Sequence, residues 1–290
     1  MLVSTDFLAA HLDDLDVVVA DMRWRESGDG PALYERGHIP GATYLDWSTD
    51  LIEPDSPVAF MLAGPERFGR AMEERGISDG TTIVAYSDRM GSGPFRLWWA
   101  SRVYGHDDVR ILDGGWDGWV REGRPVSTGA VERPRGSWTP RPTEGSVATA
   151  GDVAAALADP GAVVLDSRAP EQYRGDFVWF ETGQVPAGPD GIARTSRGAC
   201  RAGHVPGAVN VPYASLYRED LTMKSPEELR QVLQEVGIGR PARAITYCGC
   251  GISASALLFA LTLAGVEDVS LYDASWEEWG RDPELPVDRG

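Results

Sequence analysis

Cysteine is scarce in this chain of 290 residues, with three in all: Cys200, Cys248 and Cys250. So sparse and odd a set excludes a disulfide-stapled scaffold. Histidine is hardly more frequent. His11, His38, His106 and His204 show no paired-ligand spacing with the cysteines, so a structural metal site is not expected. No apolar run approaches the roughly 20 residues that cross a bilayer. The start, Met1-Leu2-Val3-Ser4-Thr5-Asp6, lacks a basic stretch followed by an apolar one, so no signal peptide is visible and the cytoplasm is the expected location. Positive charge is in deficit as well: 27 Lys and Arg against 44 Asp and Glu leave a net charge of −17. That balance argues against nucleic acid and anionic membrane as partners. Any anionic substrate must be held by local donors against an unfavourable overall field.

What is present is ordinary for a globular protein, at 42% hydrophobic and 24% charged, apart from an unusual ten tryptophans. The length is comfortable for two domains, and internal repetition decides the matter. Val17-Val18-Val19-Ala20-Asp21-Met22-Arg23 returns as Ala162-Val163-Val164-Leu165-Asp166-Ser167-Arg168. Gly37-His38-Ile39-Pro40-Gly41-Ala42 returns as Gly203-His204-Val205-Pro206-Gly207-Ala208. Thr82-Ile83-Val84-Ala85-Tyr86-Ser87 matches Arg243-Ala244-Ile245-Thr246-Tyr247-Cys248. Asp113-Gly114-Gly115-Trp116 matches Asp273-Ala274-Ser275-Trp276, with Trp119 and Trp279 following at equal distance. Four blocks in one order define two domain-sized copies, expected at 1–128 and 147–290, with a Pro-containing linker at 129–146.

Within each copy, short apolar runs alternate with helical patterns. Val17 to Ala20, Ile83 to Tyr86 and Val109 to Leu112 read as buried strands, and Pro65 to Arg75, Pro226 to Val236 and Ser253 to Leu263 as helices. Ser225-Pro226-Glu227-Glu228 supplies an N-cap, a first-turn proline and first-turn acids. The expectation is an α/β protein of two tandem domains, each a mainly parallel sheet covered by helices on both faces.

The run Tyr247-Cys248-Gly249-Cys250-Gly251-Ile252-Ser253 joins a strand directly to a helix. Such a turn aims backbone N–H groups and the positive end of the helix dipole at one spot, with glycine supplying the conformations it needs. Both effects favour a thiolate at Cys248 and would cradle a Cys–S–S⁻ persulfide. A cysteine at a strand end is more commonly a small buried apolar residue. Here the matching residue of the first copy is Ser87, so packing does not demand sulfur, and Cys248 is expected to be a nucleophile.

With these blocks, the Trp98-Trp99 pair and Tyr272-Asp273-Ala274-Ser275-Trp276-Glu277-Glu278-Trp279, nearly the whole chain resembles the tandem rhodanese-type sulfurtransferases. That group includes thiosulfate and 3-mercaptopyruvate sulfurtransferases. The resemblance implies a flavodoxin-like or Rossmann-like sandwich in each domain and an active site between them. It places the active cysteine in the second domain only, with the loop Gly249, Cys250, Gly251, Ile252 and Ser253 holding the persulfide. It implies covalent, ping-pong transfer of a sulfane sulfur from a small anionic donor to a thiol or cyanide, with no cofactor.

In the family, thiosulfate enzymes tend to carry Cys-Arg-Lys-Gly in this loop, and mercaptopyruvate enzymes Cys-Gly-Ser-Gly-(Val/Ile)-(Thr/Ser). The neutral Cys-Gly-Cys-Gly-Ile-Ser resembles the second, with Cys250 filling the serine position. An intraloop disulfide between Cys248 and Cys250 would be strained, and Cys200 is expected to be incidental. The arginine that mercaptopyruvate enzymes place after the Asp-x-Arg strand is Gln172 here. Arg174, Arg194, Arg197 and Arg201 are the candidate replacements, with Arg194 and Arg197 favoured. They lie in or beside a long, Gly-rich stretch, 175–203, expected to be an irregular loop, whose Phe177, Trp179 and Phe180 are candidates to line or cover the site. His38 matches a histidine considered for proton handling in mercaptopyruvate enzymes, although His204 at the same place in the other copy points to a shared structural role. Trp24, Ser92 and Arg96 are further candidates from the first domain.

Two other classes compete. A cysteine phosphatase needs Cys, five residues, then Arg, and here the sixth residue after Cys248 is Ala254. A rhodanese-like sulfur-carrier module serving a protein acceptor, and a thiosulfate:cyanide sulfurtransferase, remain the alternatives to a mercaptopyruvate enzyme.

Overall fold

The computed structural model describes residues 1–180, 183–239 and 241–290, with only the backbone of Phe180, so the expectation for the Phe180 side chain lies outside the described residues. The chain divides into two compact units. The first comprises Met1–Pro54, Leu62–Glu144 and Tyr217–Met223, and the second Asp55–Met61, Gly145–Leu216 and Lys224–Gly290.

In the first unit, β1 (Leu2–Val3), β2 (Val17–Asp21), β3 (Thr43–Tyr44), β4 (Thr82–Tyr86) and β5 (Val109–Leu112) form one sheet in the order β1-β5-β4-β2-β3. Every pairing in it is parallel. All five residues of β2 and of β4 are buried. Successive side chains point to opposite faces, so both faces of the sheet centre are covered. The helices of this unit are α1 (Thr5–Ala10), α2 (Gly30–Arg36), α3 (Trp47–Asp50), α4 (Pro65–Glu74), α5 (Gly93–Val103) and α6 (Gly115–Arg121).

The second unit repeats this plan. Its sheet uses β6 (Val147–Ala148), β7 (Ala162–Asp166), β12 (Val209–Asn210), β13 (Arg243–Tyr247) and β14 (Asp268–Tyr272), in the order β6-β14-β13-β7-β12 and again wholly parallel. Its helices are α7 (Ala150–Leu157), α8 (Pro170–Arg174), α9 (Pro226–Glu235), α10 (Ile252–Leu263) and α11 (Ser275–Trp279). Helix α9 starts as its sequence demands: the Ser225 hydroxyl accepts from the Glu228 N–H while the Glu228 carboxylate accepts from the Ser225 N–H.

The stretch 175–203, expected to be irregular, is instead largely two antiparallel hairpins. They pair β8 (Phe177–Phe180) with β9 (Gly183–Pro186), and β10 (Ile192–Thr195) with β11 (Gly198–Arg201). The reason is visible in the alternation. Val178, Ala193 and Cys200 enter the core of the unit, while Trp179 is 46% exposed. Residues 129–144 contain neither helix nor strand and belong to the first unit. There Trp138 is buried against Phe68 and His106.

The repeated sequence blocks converge on one buried constellation in each unit. Register places Asp21 opposite Tyr86 and Asp166 opposite Tyr247. Arg23 grips Asp21 with Nε and Nη2 and donates to the Gly37 carbonyl, its guanidinium 4.1 Å from the Trp116 ring. Arg168 treats Asp166, the Gly203 carbonyl and the Trp276 ring (4.4 Å) in the same way. The Tyr86 and Tyr247 hydroxyls accept from the N–H groups of Ile39 and Val205. Asp-x-Arg, Gly-His-x-Pro-Gly and the tryptophan are thus parts of a single folding device. Burial works against the charge of Arg168, but the adjoining Asp166 outweighs it and holds the proton more firmly than usual.

Candidate active site

Cys248 follows the last residue of β13, a central strand of the second sheet, and four residues, Cys248 to Gly251, lead into α10. The first unit uses six, Ser87 to Ser92, at the same point. The shorter loop brings the start of a twelve-residue helix, whose first N–H groups have no intrahelical acceptor, directly behind the cysteine. Helix α10 forms because its Ala- and Leu-rich sequence favours helix and buries almost all round. Gly251 is its N-cap, at φ 78°, a conformation that explains glycine there. Gly249 has no such φ; a side chain at its position would meet nothing within 4 Å, so the loop opens onto free space at that residue.

The Cys248 thiol residue is 2% exposed, whereas Cys250 is half-buried. The Cys248 peptide is held at both ends by the turn into α11. Its N–H donates to the Ser275 hydroxyl at 3.1 Å, and its carbonyl accepts from the Trp276 N–H at 3.0 Å. The Gly249 carbonyl accepts from the Glu277 N–H at 2.9 Å. Across the loop, Ser253 and Ser167 hydroxyls stand 3.0 Å apart, and the Ser167 N–H donates to the Tyr247 carbonyl. The buried Arg168 guanidinium, held by Asp166, lies within electrostatic reach of Cys248.

The remaining candidates are placed unevenly. Arg194, on β10, is 69% exposed and paired with Asp190 at 2.7 Å. Arg174 is paired with Asp176 and Glu171, and Gln172 is half-buried beside it on α8. Arg201 donates to four backbone carbonyls, of Gly280, Leu285, Trp279 and Asp282, and so acts as a strut. Arg197 lies in the turn between β10 and β11 and donates to the Pro57 carbonyl at 2.7 Å. That turn is tied to α11: Arg281 pairs with Glu277 and donates to the Arg197 carbonyl. One side chain therefore links the Arg197 turn to the helix that holds the cysteine loop.

In the first unit, His38 is fully buried, its Nδ1 2.9 Å from the Tyr34 carbonyl oxygen and its ring stacked on Tyr34. His204 does the same with Tyr173. Trp24 donates to the Ser48 hydroxyl and leans on Trp47. Arg96 is fully buried with its guanidinium over Trp99, and Ser92 precedes α5 without capping it by its side chain. Cys200 is 2% exposed, and burial pushes its thiol up to about 11.

Three contacts around Cys248 went unread in the sequence: Ser167, Ser275 and the Glu277–Arg281 pair. A signal was there for two of them. Comparing the copies position by position, Ser167 stands where the first has Met22 and Ser275 where it has Gly115. Hydroxyls thus appear in the copy that has the cysteine.

Comparison with known proteins follows the same division of the chain. The model of the Rhodanese-like domain matches residues 4–122 and again 149–282. A sulfur carrier protein of Thermus thermophilus, TtuD, is 36% identical over 100% of this chain and 97% of its own length. A Mycolicibacterium smegmatis protein described as a candidate thiosulfate sulfurtransferase is 32% identical, covering 100% of this chain and 98% of itself. The crystal structure of SseA from Escherichia coli, titled for 3-mercaptopyruvate sulfotransferases, superposes with a TM-score of 0.81 at 32% identity, covering 95% of this chain and 98% of that one.

Proposed function

The chain belongs to the rhodanese family as a sulfurtransferase with two tandem copies of the domain, and on that premise we propose that Cys248 carries sulfur as a persulfide, taken from 3-mercaptopyruvate. The observation that carries this reading is the loop itself: a cysteine between a central parallel strand and the N-terminus of α10, in the one repeat that has sulfur at that point. The Cys248 thiolate attacks the donor sulfur, the carbon–sulfur bond breaks, and its electron pair leaves on carbon as the enolate of pyruvate, which takes up a proton. The N–H groups at the start of α10 face the charge left on the outer sulfur of Cys248–S–S⁻. An acceptor thiolate or cyanide then attacks that outer sulfur, the S–S bond breaks, and Cys248 thiolate is restored.

Mercaptopyruvate is favoured over thiosulfate because the loop has no cation of its own. Thiosulfate is a dianion, and in a chain of net charge −17 it would need loop cations to hold it. A monoanion needs one. Arg197 is the favoured partner for its carboxylate: its guanidinium donates to the Pro57 carbonyl, whereas Arg194 and Arg174 are each paired with acids. The test is kcat/KM for 3-mercaptopyruvate and for thiosulfate on one preparation. Mercaptopyruvate should win by at least about tenfold, roughly the worth of one well-placed charge contact. A clear win for thiosulfate overturns the donor. A protein acceptor is the second reading, favoured by the similarity to a relative named a sulfur carrier protein; it expects turnover with small thiols to be slow although the persulfide forms readily.

A further inference from the structure

The two copies differ instructively at the turn that follows the last long strand of each sheet. The residue preceding Trp116 is Gly115 and that preceding Trp276 is Ser275, and both adopt φ 51°. In both, the tryptophan N–H donates to the carbonyl of the residue that follows the central strand, Ser87 or Cys248, at 2.9 and 3.0 Å. In the first unit glycine is required, because a Cβ on Gly115 would lie 2.3 Å from the Ser87 carbonyl oxygen. In the second, a residue with a side chain occupies this left-handed conformation, which glycine adopts without steric cost. What the serine adds is its hydroxyl, fully buried, which accepts from the Cys248 N–H at 3.1 Å and donates to the Tyr272 carbonyl at 2.8 Å. A strained residue kept beside a reactive group points to a role in holding that group.

We propose that Ser275 is a positioning residue for Cys248. Together with the Trp276 N–H it fixes both ends of the Cys248 peptide, so that the sulfur departs from a set backbone and the Cys248 N–H is committed to the hydroxyl. The inference rests on the reading of Cys248 as the nucleophile. Two variants separate the hydroxyl from the backbone: Ser275→Ala keeps the Cβ and loses the hydroxyl, and Ser275→Gly loses both and accommodates φ 51° freely.

The measurement is rapid-quench mass spectrometry of sulfur uptake on Cys248 from 3-mercaptopyruvate and from thiosulfate, with folding of each variant checked by its thermal melt. For whichever donor loads the wild type, both variants should load at saturating donor about tenfold more slowly or worse, with the donor concentration for half-maximal rate changed less than about twofold. Wild-type rates in both variants would overturn the inference. So would a loss confined to Ser275→Ala, which would assign the effect to backbone strain, or a loss confined to half-saturation. Should the wild type take up no sulfur on Cys248 from either donor, it is the reading of the nucleophile that fails, whatever Ser275 does.

Discussion

Arg197 and Cys200 show how much a side chain's partners decide. Arg194 and Arg197 looked equivalent as cations near the site. Arg194 is spent on Asp190, and Arg197 sits in a turn fastened through Arg281 to the helix beside the cysteine loop. Replacing Arg197 with Gln should therefore raise the KM for 3-mercaptopyruvate about tenfold with kcat little changed, because a carboxylate contact remote from the sulfur binds ground and transition states alike. Arg194→Gln should alter KM by less than about twofold. Steady-state kinetics of the two variants decides between them. Cys200 is a thiol in name only. Burial raises it to about 11, so it stays protonated through neutral and mildly alkaline pH. Iodoacetamide at pH 7 to 9 should label Cys248 or Cys250 and spare Cys200 until the chain is unfolded, as peptide mapping would reveal. The strand-to-helix loop that begins at Cys248 could be read from the sequence because it is contiguous. Ser275 showed in the sequence only as a difference from Gly115, and the Glu277–Arg281 pair not at all, since they reach that loop from more than 20 residues further along the chain and only the sheet order brings them together.

At the level of elements, the three strands and three helices read from the sequence fall within one residue of their bounds, because continuous apolar runs and explicit caps announce them, whereas short elements such as β3, α3 and α8 carry no such signal. Strand β5 spans the expected Val109 to Leu112, and α9 begins at the expected Ser225 cap. The hairpins within 175–203 were not. Each strand has only four residues, glycines and prolines punctuate them, and their pairing is set by the core they cover. The repeated Asp-x-Arg blocks were visible as motifs, but their meaning as a buried ion pair under a tryptophan required the fold. That arrangement makes a firm prediction. Arg168→Met leaves Asp166 charged, 0% exposed and without its main partner, which should destabilise the second unit by about 3–5 kcal/mol. Urea unfolding followed through the tryptophans would measure it. Replacing both Asp166 and Arg168 by apolar residues should cost less than replacing Arg168 alone.

Across the whole molecule, the repeat was the most legible feature. Two copies with one strand order supply an internal control, in which any difference at matched positions is a clue to function. Ser87 against Cys248 and Gly115 against Ser275 are such differences. What the repeat could not foretell is that residues 55–61 belong to the second compact unit and 217–223 to the first. Neither segment carries a composition or periodicity that marks where it packs. The central claim, that one sulfur of the three in the chain's cysteines does the chemistry, is tested most directly by location. The protein is treated with 3-mercaptopyruvate without acceptor, digested, and mapped by tandem mass spectrometry. The expected result is the mass of one added sulfur atom on Cys248, absent from Cys200 and Cys250, removed by cyanide and abolished in Cys248→Ser. Sulfur found on another cysteine, or none on Cys248 with either mercaptopyruvate or thiosulfate, would contradict it.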